Sequence, residues 1–172
     1  MKDILRRLVS GELTEEEAIV ELRSLQLDEL SGRARLDLGR FFRRGIPEVV
    51  LALGKTPDDT ATLAVAMAER QGQGLVSRMS EAHREALERT AARASMEVVV
   101  YGASARVCKP GFQPEPLEGR VGILTAGTSD LPVAEEASMV VEATGVQVRL
   151  EADLGVAGLH RFVGPLASIL EW

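Results

Sequence analysis

The 172-residue chain holds one cysteine, one tryptophan, one tyrosine and three lysines, and each scarcity excludes something. With Cys108 alone, no intramolecular disulfide can form, and a reducing, cytoplasmic compartment is the expectation. Six aromatic residues leave few platforms on which the bases of a single strand could stack. A net charge of −6 withholds the dominant basic face that a phosphate backbone demands, so no nucleic-acid partner is expected. No apolar run approaches the ~20 residues that span a bilayer. The opening Met1-Lys2-Asp3-Ile4-Leu5-Arg6-Arg7 lacks the apolar core of a signal peptide, so no membrane partner is expected either.

What is present fits a folded α/β protein. Hydrophobic residues make up 45% and charged residues 27%, enough to build one ordinary domain or two small ones. Basic charge is almost all arginine and is uneven. From Arg33 to Arg44 the chain carries Arg33, Arg35, Arg40, Arg43 and Arg44 against the single acid Asp37. A planar guanidinium fork suits carboxylates and phosphates, although the same run also suits a solvated helix face.

Two short helices are expected in the first 25 residues, the second opened by a capping box of Thr14 and Glu17. Ala34 to Leu38 reads as a short strand and Arg40 to Arg44 as a basic helical turn. Pro47 precedes a β-branched run to Leu53. Asp58–Arg70 and Glu81–Arg93 have helical spacing, and Gly74–Val76 and Met96–Tyr101 read as strands. Such alternation predicts βα units and a mostly parallel sheet. Gly54-Lys55-Thr56 does not make a phosphate loop, because Val49 stands where that loop needs glycine and Pro57 follows directly.

Lys109 to Pro116 carries three prolines and reads as a linker, so the expected organisation is a small α/β domain over 1–108, a linker over 109–118 and a second domain over 119–172. In the second domain Arg120–Ala126 reads as a strand and Gly127-Thr128-Ser129-Asp130 as a polar turn. A helix follows from Leu131 to Thr144, then a strand from Val146 to Leu150 and a helix from Leu159. Two strands cannot cover both faces of a doubly wound sheet. The second domain is therefore expected to be the first part of something longer, or to borrow strands from the first.

Two loops could carry chemistry. Gly127, Thr128, Ser129 and Asp130 lie between a strand and a helix N-terminus, where free amides and the helix dipole favour an anion. Ser129 or Asp130 could equally cap the helix, and Asp130 could grip a ribose hydroxyl. The second loop offers Glu151, Asp153, His160 and Arg161, and strand-end loops of neighbouring strands converge in open α/β sheets. His160 or a desolvated Asp153 could act as a general base, while surface roles remain open for Glu151, His160 and Arg161. Cys108 has no partner at metal-ligand spacing and reads as a small semi-buried residue.

Gly122-Ile123-Leu124-Thr125-Ala126-Gly127-Thr128-Ser129-Asp130-Leu131-Pro132-Val133-Ala134 resembles the opening of a PurE-like domain, the fold of a purine-pathway carboxyaminoimidazole ribonucleotide mutase. Leu36-Asp37-Leu38-Gly39-Arg40-Phe41-Phe42-Arg43-Arg44-Gly45-Ile46-Pro47-Glu48, with Gly54-Lys55-Thr56-Pro57, resembles the N-terminal signature of the LarB family. Asp153-Leu154-Gly155-Val156-Ala157-Gly158-Leu159-His160-Arg161 resembles that family too. Three ordered blocks favour LarB over the purine enzyme, which lacks the first. The implied second domain is a PurE-like, flavodoxin-like three-layer parallel sheet.

The resemblance implies a carboxylase/hydrolase of nickel-pincer cofactor synthesis acting on nicotinic acid adenine dinucleotide. The pyridinium ring is carboxylated at C5 with carbon dioxide or bicarbonate, and phosphoanhydride hydrolysis then releases AMP. Family members attack the ring with a cysteine, and a base removes the ring proton before the thiolate leaves. Carried over by position, Gly127, Thr128, Ser129 and Asp130 hold phosphate and ribose. Asp153 or Glu151 accepts the proton beside His160 and Arg161. Asp37, Arg40, Arg43 and Lys55 meet the anionic substrate from the other domain. Magnesium is compatible with a pyrophosphate substrate but is demanded by no residue cluster, and a homo-oligomer is implied. The family cysteine falls well after Arg161, and Cys108 is not at that place. A nucleotide-binding module without catalysis and a purine mutase are the alternatives.

Overall fold

A computed structural model describes residues 2–24, 27–30, 34–37, 45–155 and 158–172. The chain forms two units, Met1–Glu48 and Val49–Trp172.

The first unit opens with helices α1 (Lys2–Val9) and α2 (Glu15–Ser24). Buried Ile4 and Leu13 meet Ala18 between the helices, with Leu8 and Leu22 packed around them. The capping box forms as its sequence requires: the Thr14 amide donates to Glu17 Oε2 at 2.8 Å and the Glu17 amide returns to Thr14 Oγ1 at 3.2 Å. Those hydrogen bonds hold the Glu17 carboxyl below its ordinary pKa, the backbone one foremost. Strands β1 (Leu27–Leu30) and β2 (Ala34–Asp37) pair antiparallel, Leu27 opposite Asp37 and Leu30 opposite Ala34. The expected strand at Ala34 is there; its partner, with two acids in four residues, gave no strand signal. The expected helical turn over Arg40–Arg44 lies outside the described residues.

The second unit is built on a four-stranded sheet of β3 (Val49–Leu51), β4 (Gln73–Ser77), β5 (Glu97–Tyr101) and β6 (Ser104–Cys108), in the order β3-β4-β6-β5. Helix α3 (Pro57–Gln71) connects β3 to β4 and helix α4 (Glu81–Arg93) connects β4 to β5. Thr56 caps α3, its Oγ1 accepting from the Asp59 amide at 3.2 Å, and Pro57 fills a first-turn position that needs no donor. All five residues of β4 are buried, as a strand covered on both faces must be. A Cβ at Gly74 would run into the Ala64 carbonyl of α3, so only glycine allows that helix so close. The next residue, Leu75, faces the other way onto Met139 and Ala143.

Those two residues belong to helix α5 (Leu131–Ala143), which follows strand β7 (Arg120–Leu124) and a single 3₁₀ turn at Thr128–Asp130. Strand β8 (Gln147–Glu151) lies parallel to β7, Leu124 opposite Glu151, and helix α6 (Leu159–Glu171) comes after it. The fold is α/β as expected, but its pairing is mixed rather than mostly parallel. β3–β4 and β7–β8 are parallel, whereas β6 runs antiparallel to both β4 and β5. A two-residue loop of Gly102 and Ala103 folds β5 back onto β6, with Gly102 at φ +55°. Among the described residues β7 and β8 remain a two-stranded sheet of their own.

Compact units divide at Glu48/Val49, which does not coincide with the proline-rich stretch 109–118. That stretch is fastened down instead. The Lys109 amide donates to the Gly72 carbonyl and the Leu117 amide to the Gly145 carbonyl, both at 3.0 Å. Phe112 covers Gly72 where a side chain would otherwise stand. With α5 packed on Leu75, the segments before and after the prolines share one core. No helix of the described residues is long and apolar enough to cross a membrane.

Candidate functional site

Strands β7 and β8 end side by side, and the loops that leave them stay joined. The Thr125 amide donates to the Glu151 carbonyl at 3.0 Å, the Leu154 amide to the Thr125 carbonyl at 3.0 Å, and the Gly155 amide to the Ala126 carbonyl at 2.8 Å. Thr125 is buried, and its hydroxyl oxygen accepts from the Asp153 amide at 3.3 Å. The two candidate loops are therefore brought together, as strand-end loops of parallel strands should be. Sequence reasoning did not give Thr125 a role, although its polarity at the end of an apolar strand was the available signal.

The turn after β7 answers the capping question. Asp130 Oδ2 reaches back to accept the Gly127 amide at 3.3 Å, so Asp130 closes the turn on itself, and Ser129 makes no capping bond. The first backbone bonds run from the Asp130 amide to the Gly127 carbonyl, at 3.2 Å, and from the Leu131 amide to the Thr128 carbonyl. The amides of Thr128 and Ser129 precede those bonds and lie at the positive end of α5. Both residues are exposed. Gly127 has an extended φ of −127°, and a Cβ there would meet nothing closer than Ser129 Oγ at 3.6 Å. Among the described residues nothing demands a glycine at this point.

The second loop is organised by guanidinium groups. Arg161 Nη2 donates to the Asp153 carbonyl and to Asp153 Oδ2, each at 2.9 Å. Asp153 has φ +57°, a left-handed conformation that aspartate tolerates better than most side chains. Gly155 is also left-handed, at φ +58°, and a Cβ there would stand 2.7 Å from Arg161 Nη1. Glu151 is held differently. Its Oε1 accepts from Arg149 Nε at 2.9 Å, from the same face of the same strand two residues away. Arg149 was missed in the sequence, where only period-two spacing linked it to Glu151. Of the two proposed proton acceptors, Asp153 is exposed and Glu151 partly buried.

Other residues expected at the site are elsewhere or outside the described set. The Lys55 ammonium donates to the Leu51 carbonyl at 3.0 Å, and the Lys55 carbonyl meets His83 Nε2 at 3.1 Å. Its described contacts lie at the end of β3, not at the Thr128–Asp130 turn. Asp37 ends β2, and its side chain lies outside the described residues, as do Arg40 and Arg43. His160 sits in the first turn of α6, and its side chain is likewise outside them.

Cys108 ends β6, buried, and loss of hydration raises its thiol pKa, with Arg106 pulling the other way and Glu97 adding to the rise. A protonated buried thiol is a packing residue rather than a nucleophile. Among the described residues no three His, Cys, Asp or Glu side chains come together to hold a metal, so magnesium has no assigned ligands.

Residues 28–110 match the family described as the LarB/PurE-like N-terminal domain. The match runs from β1 through β6 and stops short of both strand-end loops. An uncharacterized protein of Methanocaldococcus jannaschii is 29% identical over 174 residues, an alignment that spans 99% of this chain and 68% of that protein. Its coverage does include the loops.

Proposed function

We propose, from the match of residues 28–110 to the LarB/PurE-like N-terminal domain, that the strand-end loops bind nicotinic acid adenine dinucleotide in a LarB-type carboxylase/hydrolase. The reaction in view adds a carboxyl group to pyridinium C5 from carbon dioxide or bicarbonate. Water then cleaves the phosphoanhydride and releases AMP. One observation carries the reading: the Thr128 and Ser129 amides stand outside the turn's own hydrogen bonding, at the positive end of α5. Beside them, Thr125 ties in a loop bearing Asp153 and Arg161.

In this reading Thr128 and Ser129 take a phosphate through their amides and hydroxyls. Arg161 neutralises a second negative group, and Asp153 or Glu151 is the candidate acceptor of the ring proton. Asp130 acts mainly through its hold on Gly127. The cysteine that opens the family's reaction is not Cys108, which burial keeps protonated. That point favours a second reading, a nucleotide-binding module without catalysis. A homo-oligomer belongs to either reading, and Phe162, Val163 and Leu170 on α6 are exposed apolar positions for it.

The test is incubation of the protein with nicotinic acid adenine dinucleotide and bicarbonate, with binding followed by calorimetry and products by mass spectrometry. AMP with a carboxylated pyridine mononucleotide supports the enzyme. Saturable binding without turnover supports the module. Absence of binding overturns both, and turnover of carboxyaminoimidazole ribonucleotide instead would return the protein to the purine pathway.

A further inference from the structure

Strand β5 (Glu97–Tyr101) is an outer strand of the four-stranded sheet, and among the described residues nothing pairs with its far side. The hairpin fixes which backbone groups face that side. A two-residue loop makes Tyr101 and Ser104 a hydrogen-bonded pair, so Val99 with Arg106 and Glu97 with Cys108 are bonded as well. The amides and carbonyls of Val98 and Val100 therefore point away from β6. Val99 and Val100 are each 41% exposed, and β5 contains no lysine, proline or glycine. The opposite edge, β3, is guarded. It has three residues, follows Pro47, and its Leu51 carbonyl accepts from the Lys55 ammonium at 3.0 Å. Shortness, lysine and proline are common means of keeping a sheet edge from pairing, and β5, at five residues, uses none of them.

We propose that the β5 edge pairs with the β5 edge of a second copy of this chain, antiparallel about a twofold axis at Val99. The strand is complementary to itself. In this register Val98 of one copy lies opposite Val100 of the other, and their outward amides and carbonyls join in about four hydrogen bonds. Val99 meets Val99 in a non-bonded pair, where side chains come closest, so the exposed valines of the copies cover one another. Charge and the turn select the same register. Glu97 is the only charged residue of β5, and it falls opposite Tyr101. A slide one way brings Glu97 towards Glu97, and a slide the other way runs into the Gly102 turn. A twofold pairing closes on itself, and the guarded β3 edge stops growth into longer sheets. A five-residue edge gives less than the standard ~1,600 Å² interface, so the dimer is reversible and forms at roughly micromolar concentrations.

Sedimentation velocity of the whole chain, from low micromolar to several hundred micromolar, should show a monomer–dimer equilibrium. Val100→Pro removes an amide that the β5–β6 ladder does not use, so the monomer stays folded while the dimer weakens by about tenfold or more. Val99→Lys and Val99→Glu each place like charges at the twofold axis and should be monomeric alone, and an equal mixture of the two should dimerise again. That pair decides the matter if Val100→Pro does not fold. A chain that stays monomeric throughout, a dimer indifferent to a folded Val100→Pro, or charged variants that fail to pair on mixing each overturns the proposal. A dimer kept by the β5 variants but lost on Phe162→Asp belongs to α6 and overturns it too. Because β5 lies outside the strand-end loops, nucleotide binding there stands or fails separately.

Discussion

One nitrogen of Arg161 bonds twice to Asp153, to its carbonyl and to its carboxylate, both at 2.9 Å. The bonds fix a loop in which Asp153 is left-handed, yet the two side chains are about half exposed. Exposed pairs contribute at most about 1 kcal/mol to stability, because water screens them and two long side chains lose freedom. Arg161→Gln should therefore lower the melting temperature by no more than a few degrees. Its affinity for nicotinic acid adenine dinucleotide should fall about tenfold, through loss of one charge-assisted contact. Calorimetry beside thermal melts checks both, and a large melting change with unaltered affinity would assign the pair to structure alone.

Two glycines make a contrast of the same kind. At Gly127 the backbone is extended and a methyl group has room, so Gly127→Ala should melt like the wild type. Any loss of nucleotide affinity then reflects the ligand's approach to the amides. At Gly145 φ is +88° and a Cβ would strike the Glu115 carbonyl. Gly145→Ala should cost about 1–3 kcal/mol, seen in denaturant midpoints, whatever happens to binding.

What the sequence disclosed follows the range of the forces involved. Caps and turns are local, so the Thr14–Glu17 box, the Gly145 stop and the helix over Glu81–Arg93 were all legible. Helix α5 was legible too, because its apolar spacing and Pro132 act within a few residues. Strand β6 was not: residues 104–108 were assigned no element, and only pairing on both sides makes them a strand. In the candidate site, the turn and the Asp153–Arg161 loop were visible as polar strand ends. The Thr125 hydroxyl bond and the Arg149–Glu151 pair were not, since both depend on which side chains share a face after folding.

Cys108 supplies a prediction about reactivity. Its thiol is buried and its pKa raised, so the native protein should react slowly with a disulfide reagent at neutral pH and promptly once unfolded. Cys108→Ser should leave nucleotide binding intact. Fast native labelling, with protection by the nucleotide, would instead put this thiol at the site.

The face that holds Cys108 also holds Tyr101, whose pKa is raised above its ordinary value of 10, first by burial and then by its bond to Glu142. The sign follows from which form the fold prefers. Both groups are favoured neutral in the folded chain, so they contribute in full below their ordinary values of 9 and 10. Above those values the unfolded chain releases protons that the folded chain retains, and stability falls with rising pH. Denaturant midpoints should therefore hold steady to about pH 9 and decline beyond it. Tyr101→Phe should begin lower, having lost the hydrogen bond, but decline less steeply, and Cys108→Ser should flatten the early part of the fall. Identical slopes for wild type and both variants would show that other groups govern the alkaline limb.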